Sequence, residues 1–524
     1  MMRTTLRRIL WLALAATYPL AAQGLAATPA DSAAPRQAAW VVEPQPIDGG
    51  VADKGINVLV DSSHDLLFLW MWQVRGGLRG HLGYRTTGNE ATLSTVLGPG
   101  ATARQRDQSR HRWNAHRPFQ MAPIGCQYHV VVIYQGGGRQ PFLKEEVQAL
   151  ERFMREGGGV ILVALPGHGR EFPLGQLAAE WGAAFADKAA GPVTGKTVRW
   201  PDAKALGDVR LPSLATKGAV RWTVLGQAAG DAPVALQRPY GKGNLIIVSD
   251  SRLLTDDKGP RLEPFDDLLQ LAGAGRPPDK GPRTVPWENG GVGGAFWPEK
   301  EFDLGGIKVL YAANQLPGVV TAVQERGPEV LRHLGELIPS KTWQGETFHI
   351  ILAAGSPGSG WAVNAYTPKS AAMTCDDRDT GSILSVAAHE LAHTMPGPPA
   401  SDGTCRAGWP PFHSEAHAGY FQRMVGKRMG LGGVPGWWSD PNAPPPHTGV
   451  DLAKDSGGKA WDAAWWVWRQ IDMKYGEGWY PKWMQRVYER GVGRPNNPVD
   501  LTVIIETTSE AVGADVRPIF DRIR

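Results

Sequence analysis

Four short runs in the first half of the chain are almost continuously apolar. Ile56–Asp61, His129–Gln135, Val160–Leu165 and Asn244–Asp250 are rich in Val, Ile and Leu and lack the alternation of a half-solvated strand. This is the pattern of strands buried on both faces of a parallel sheet. Between two of them, Val147, Leu150, Phe153 and Met154 recur at helical spacing within Glu145–Glu156. The expectation for residues 51–272 is an α/β domain built on a doubly wound parallel sheet. The second half reads differently. Ile307–Ala312, Phe348–Ala354 and Trp361–Thr367 predict strands, and Pro328–Leu337 a short helix. Ser382–Met395, a stretch reaching about Met429, Lys459–Tyr475 and Trp479–Tyr488 predict further helices. Residues 295–524 are therefore expected to form an α+β domain with a C-terminal helical lobe. Between the halves, residues 273–294 hold PP, GP, VP, NGG and GVGG, the composition of a linker.

Length agrees with two domains, because 524 residues exceed what one core holds. Gly and Pro together make 107 residues, above average usage, so loops are many. The first residues change the picture more. Met1–Arg8 is basic, Ile9–Ala16 apolar and Ala21–Ala27 rich in small residues, the order of a secretory signal peptide over residues 1–27. Its apolar run is too short to span a bilayer, which needs about 20 residues. Residues 28–50 read as a flexible leader. The expected product is a secreted or periplasmic protein that does not span a membrane. The formal net charge of +4 includes Arg3, Arg7 and Arg8, so the processed chain is nearly neutral and nucleic acid is not an expected partner. In an exported protein the three cysteines, Cys126, Cys375 and Cys405, are candidates for one disulfide. Three pairings exist on paper; Cys375–Cys405 is favoured because it brackets the segment richest in chemistry.

That segment contains His389-Glu390-Leu391-Ala392-His393 within a predicted helix ended by Pro396. One helical turn places both histidines on one face, so both imidazoles reach one zinc ion at about 2.0–2.1 Å. Glu390 then lies where a carboxylate can take a proton from metal-polarised water. In a chain of this composition the motif arises by chance roughly 0.02 times. The third ligand favoured is Glu415, which lies 22 residues after His393 on a helix whose matching face carries Ala418, Gly419 and Gln422. Two histidines and a carboxylate leave a fourth position for water. His413 and His417 stay as alternative ligands. The spacings of metzincins and aspzincins are absent, since Pro396 and Pro399 stand where a metzincin needs Gly and His, and Gly403-Thr404 is not followed by an aspartate in register.

On these residues the second half resembles the gluzincin metallopeptidases, and within them the enhancin-like group, some of which cut mucins and other glycoproteins. The resemblance implies one zinc per chain, held by His389, His393 and Glu415, with Glu390 as general base. It also implies that Gly360–Asn364 forms an edge strand pairing with substrate, with Trp361, Asn364 and Tyr366 as substrate-binding residues. Tyr366, His417, Tyr420, His447 and Tyr475 are candidate oxyanion donors, His417 and Tyr420 foremost. Thermolysin-type members place Asp four residues after the ligand Glu to orient a zinc histidine; here that position is Gly419. The first half resembles the class I glutamine-amidotransferase-like fold in NVLVDSSHD (57–65), VVVIYQGGG (130–138), EGGGVILVALPG (156–167) and YGKGNLIIVSDS (240–251). The turn that would carry the nucleophile reads Ala164-Leu165-Pro166-Gly167-His168-Gly169, without Cys or Ser. This half is expected to be inactive, with a residual ligand site near Asp61, His64 and Gln135.

The function expected is hydrolysis of peptide bonds in a peptide or glycoprotein substrate. The alternative is a non-catalytic glycan- or peptide-binding protein with a structural zinc. Tryptophan is unusually frequent, 21 against 13 Phe and 11 Tyr. Trp461, Trp465 and Trp468 at helical spacing read as core. Trp361, Trp409, Trp437 and Trp438, on the edge strand or in loops around the motif, are candidates for the cleft.

Overall fold

The computed structural model describes residues 40–42, 51–65, 77–78, 81–89, 91–98, 127–135, 138–166, 171–206, 209–256, 259–279, 283–285, 298–305, 307–337, 348–355, 360–363, 369–394, 413–431, 436–455, 457–490 and 500–524. The expected signal peptide lies outside them. In the first half seven strands form one sheet: β1 (Asn57–Asp61), β2 (Arg85–Asn89), β3 (Val130–Gln135), β4 (Gly159–Ala164), β5 (Thr223–Ala228), β6 (Ala232–Tyr240) and β7 (Gly243–Val248). Their order is β2-β1-β3-β4-β7-β6-β5. The five strands from β2 to β7 are parallel, whereas β6 and β5 are antiparallel. The sheet is thus mixed rather than wholly parallel. The reason is local: Gly241 at φ +65° lets Tyr240 turn directly back into β7 as a hairpin.

The apolar runs fill both faces of this sheet, as their lack of alternation requires. Val58, Val60, Val130, Val132, Ile161 and Ile246 pack with Phe265, Leu268 and Leu269 of helix α2 (Leu262–Gly273). Leu59, Val131, Ile133, Leu162 and Ile247 pack on the other face with Leu150, Phe153 and Met154 of α1 (Lys144–Arg155). At the segment expected to be a flexible leader, Trp40–Val42 pairs antiparallel with Arg283–Val285 from the expected linker.

The second half holds a five-stranded sheet of β8 (Lys300–Asp303), β9 (Ile307–Tyr311), β10 (Phe348–Ala354), β11 (Gly360–Val363) and β12 (Lys369–Cys375), in the order β8-β9-β10-β12-β11. β9, β10 and β12 are parallel; β8 and β11 are antiparallel edges. Around it lie α3 (Pro317–Leu337), α4 (Thr380–Thr394), α5 (His413–Met429), α6 (Gly458–Tyr475), α7 (Trp479–Glu489) and α8 (Leu501–Val512). α3 corrects the short helix expected at Pro328–Leu337. It begins eleven residues earlier, with Pro317 in its first turn and Pro328 inside it. Proline removes a donor and disfavours helix interiors, yet Val319 and Val323, ahead of Pro328, share one core with Val330 and Leu334 behind it. Burial along the whole face outweighs the local defect. Among the described residues no helix is long and apolar enough to cross a membrane.

The halves meet at the carboxyl ends of their strands. Gln140, just beyond β3, donates through Nε2 to the Cys375 carbonyl at 2.9 Å and to Gln315 Oε1 at 3.0 Å. Asn314, just beyond β9, donates to the Ser63 carbonyl at 3.0 Å. Glu299 accepts from the backbone N–H of Thr92 at 2.8 Å and of Ala313 at 3.0 Å. Open α/β sheets usually place ligands at these strand ends; here the second domain occupies them. The residual ligand site expected near Asp61, His64 and Gln135 is corrected accordingly. All three are fully buried. His64 Nδ1 meets Asp61 Oδ2 at 2.7 Å, and its Nε2 lies 3.4 Å from Glu146. Gln135 accepts from the Leu174 N–H.

Candidate metal centre

α4 is launched by the strand before it. β12 ends at Cys375; Asp376 then accepts from Arg378 N at 2.9 Å, and Asp379 accepts from Ser382 N at 2.9 Å as the helix starts. Ile383, Leu384, Ala387, Ala388, Leu391 and Ala392 pin the helix into the core, which fixes the opposite face. There the two histidines, one turn apart, bring Nε2 to Nε2 at 3.1 Å. α5 delivers Glu415: one carboxylate oxygen lies 3.4 Å from His389 Nε2, the other 3.4 Å from His393 Nε2.

These separations test the fit of a metal. Two ligands each about 2.1 Å from a tetrahedral zinc stand roughly 3.4 Å apart. The three donor atoms lie within 4.8 Å of one another, so little movement is needed to hold one ion. The histidine side chains are about nine-tenths buried, whereas that of Glu415 is 33% exposed, so the group is reached from the Glu415 side. Electrostatics favour a cation. Burial alone would lower the His389 pKa, but its hydrogen bond to Glu415 and the charges of Glu390 and Glu415 raise it. Burial alone would raise the Glu415 pKa; His393 and His389 hold it well below the ordinary carboxylate value. Residues His389, His393 and Glu415 therefore fit a metal ion.

A residue singled out only for its helix face completes the site. Gln422 Nε2 donates to Ser385 Oγ at 3.1 Å, which turns its Oε1 toward His389 Nδ1, also at 3.1 Å. His389 Nδ1 must then carry the proton, leaving Nε2 as the metal-facing lone pair. Gly419 cannot take this part. A Cβ there would lie 2.3–2.8 Å from the Trp465 indole, and the ring is held by its Nε1 bond to the Ala416 carbonyl at 2.8 Å. Replacing Gln422 with Ala should weaken metal affinity about 10- to 100-fold, measured with added zinc ion as the probe in competition with a chromogenic chelator; an unchanged affinity would remove Gln422 from this role.

Glu390 is 4% exposed and lies under the edge strand β11. A Cβ on Gly360 would stand 2.7 Å from Glu390 Cγ, 2.8 Å from Val386 Cγ1 and 2.9 Å from the Ala372 carbonyl. Glycine lets the strand close onto the carboxylate. Gly360→Ala should therefore displace Glu390 and cost about 1–3 kcal/mol of stability, with the His389, His393 and Glu415 group left in place. A variant of unchanged thermal midpoint would show that this contact is slack.

Other expected site residues are placed differently. Tyr420 is fully buried and donates to Asp472 at 2.7 Å. His417 is buried and hydrogen-bonded through Nδ1 to the Tyr480 hydroxyl; burial, with the charge of His393, lowers its pKa to about 3. α5 packs both into the aromatic cluster formed with α6 and α7. The expected Cys375–Cys405 bridge is corrected too: Cys375 is a free, buried thiol pointing to the Met373 carbonyl at 3.3 Å, and Cys405 lies outside the described residues. β11 is the predicted edge strand, but the side chain of Trp361 and all of Asn364 and Tyr366 lie outside them. Trp461, Trp465 and Trp468 are core, as expected; so is Trp438, at 0% exposure. Trp409 and the Trp437 side chain are outside the described residues.

No protein-family model matches the chain, and no curated protein matches it. Among solved structures, the mmIFT52 N-terminal domain aligns over 41% of this chain and 96% of its own, at 13% identity and a TM-score of 0.26. Yeast LTA4 hydrolase in complex with bestatin aligns over 43% of this chain and 38% of its own, at 13% identity and a TM-score of 0.27. The beta-galactosidase of Bacillus circulans aligns over 42% and 30%, at 14% identity and a TM-score of 0.20. The chain thus spans well under half the length of the last two, and likenesses this slight assign neither a fold family nor an activity.

Proposed function

We propose that the chain is an exported zinc metallopeptidase of the gluzincin type, akin to the enhancin-like group, that hydrolyses peptide bonds, including those of glycoproteins. The observation that carries the reading is the grouping of His389, His393 and Glu415, whose three donor atoms lie within 4.8 Å of one another, with the buried Glu390 beside them. Held there, zinc would supply Lewis acidity to a water in the fourth position and to the substrate carbonyl. Glu390 accepts the proton of the attacking water and returns it to the leaving amine. β11, the edge strand of its sheet among the described residues, would pair with an extended peptide, and Gln422 fixes the tautomer of His389. The first half is read as a doubly wound, amidotransferase-like domain without a nucleophile.

The test measures bound zinc and cleavage of unfolded protein substrates together, in the protein as isolated and in Glu390→Ala. Cleavage that survives the substitution overturns the mechanism. Stoichiometric zinc with no cleavage of peptides or glycoproteins favours the binding protein instead.

A further inference from the structure

The loop that leaves β3 in the first domain reaches the strand that launches α4. Gly138 donates its N–H to Asp65 Oδ2 at 3.0 Å. It also packs so closely on the His64 carbonyl that a Cβ would lie 2.2 Å from that oxygen and 3.0 Å from Gln140 Oε1. A bare glycine lets the loop seat this deeply, and Gln140, itself buried, is then aimed across the seam. Its Nε2 is shared between two acceptors on different elements of the second domain. One is the carbonyl of Cys375, the last residue of β12. The other is Gln315 Oε1, which also accepts from the Leu316 N–H at the head of α3 at 2.9 Å. Gln315 Nε2 in turn donates to the Leu352 carbonyl of β10 at 2.9 Å. One amide of the first domain therefore ties the ends of β10 and β12 to the start of α3, and α3 shares its core with α4. The launch follows at once. Asp376 is fully buried and accepts from Arg378; burial would raise its pKa, but Arg378, and with it the charge of Arg139 beside Gln140, lowers it.

We infer that Gln140 is a positioning residue for the metal centre: the first domain holds the launch of α4, through the Cys375 carbonyl and Gln315, at the angle that brings His389 and His393 to Glu415. The inference rests on the reading of those three residues as a metal site. His389 stands nine residues past Thr380, about 14 Å along the helix axis. A tilt of about 4° at the first turn would move it by about 1 Å over that length, more than the roughly 0.5 Å within which a site must be held. Packing on the apolar face sets how deep α4 lies, whereas its angle is set where strand becomes helix. Without the Gln140 amide, two buried acceptors lose their donor, a costly state, and the launch shifts to find others.

The test compares the full-length protein with Gln140→Met, which keeps the length of the side chain and removes the donor. Zinc affinity is read with added zinc ion against a chelator, and hydrogen exchange over α4 is read in the metal-free protein. Gln140→Met should bind zinc roughly 3- to 30-fold more weakly and exchange the first turns of α4 about tenfold faster. The control is Thr92→Val, which cuts a seam contact to Glu299, the residue before β8, at the opposite edge of the sheet from β11. It should change neither readout. Exchange or zinc affinity left unchanged in Gln140→Met overturns the inference, as does an equal loss in Thr92→Val, which would make the seam a matter of general stability. Where the Met side chain prevents folding, Gln140→Asn, with its amide one methylene short, is held to the same outcomes. If the unaltered protein takes no zinc, the metal reading fails, and the exchange comparison alone decides whether Gln140 positions α4.

Discussion

Glu390→Ala is expected, on the metallopeptidase proposal, to retain zinc and to lose hydrolysis by roughly a hundred- to ten-thousand-fold, the range that a positioned general base supplies. Retention follows from geometry, because the three donors that face one another are His389, His393 and Glu415, and Glu390 is not among them. Loss follows because Glu390 is the carboxylate that neighbours the first histidine, enters the charge balance of His389 and is clamped by the close approach of Gly360. The measurement is metal content by mass spectrometry beside the cleavage rate of an unfolded protein. The pair of readouts separates three cases: lost metal would make Glu390 structural, retained rate would remove it from the chemistry, and retained metal with lost rate is the expected outcome.

His64→Gln should destabilise the first domain by about 3–5 kcal/mol, the cost of removing one partner from a buried charge group. His64 lies between Asp61 and Glu146, all fully buried, and is stacked on Phe142 at 3.8 Å. Burial by itself would lower its pKa, but Glu146 and Asp61 raise it to about 10. Raised in the folded state, it contributes stability that is fully present below pH 6.5 and lost as pH climbs through about 10. Urea unfolding should therefore show a large gap between the two proteins at pH 6 that narrows above pH 10. A gap independent of pH would mean that His64 acts by shape and not by charge. Asp61, its pKa lowered by His64 against the effect of burial, behaves in the opposite sense and loses its contribution in acid.

Continuous apolar runs located β1, β3, β4 and β7 to within about two residues, since a strand covered on both faces has no other composition open to it. The metal helix was legible for a related reason: imidazoles four apart on an apolar helix are a local pattern. Glu415 required a second helix to return antiparallel, and the small residues along its face signalled that it could. What escaped depended on partners distant in sequence. Gln422 was visible on the Glu415 face, but its role depends on His389 and Ser385 of the facing helix, and the need for a bare Gly419 depends on Trp465. Tyr420 and His417 looked available near the motif, yet Asp472 and Tyr480 from later helices claim them. The antiparallel strands β5 and β6 alternate weakly and carry Gly226 and Pro239, so periodicity did not mark them. Compartment reasoning favoured a disulfide at Cys375, where the chain instead buries the thiol at the end of β12.

The seam between the sheets also has a consequence in time. Gln140 and Cys375 are 235 residues apart in the chain, and Ser63 and Asn314 are 251 apart. Contacts so distant repay their loop-closure entropy only after the elements on both sides exist. The strand that launches the metal helix is thus finished by an amide from a domain synthesised long before it. Folding should end in a mutual step, with the two halves completing each other rather than maturing in turn.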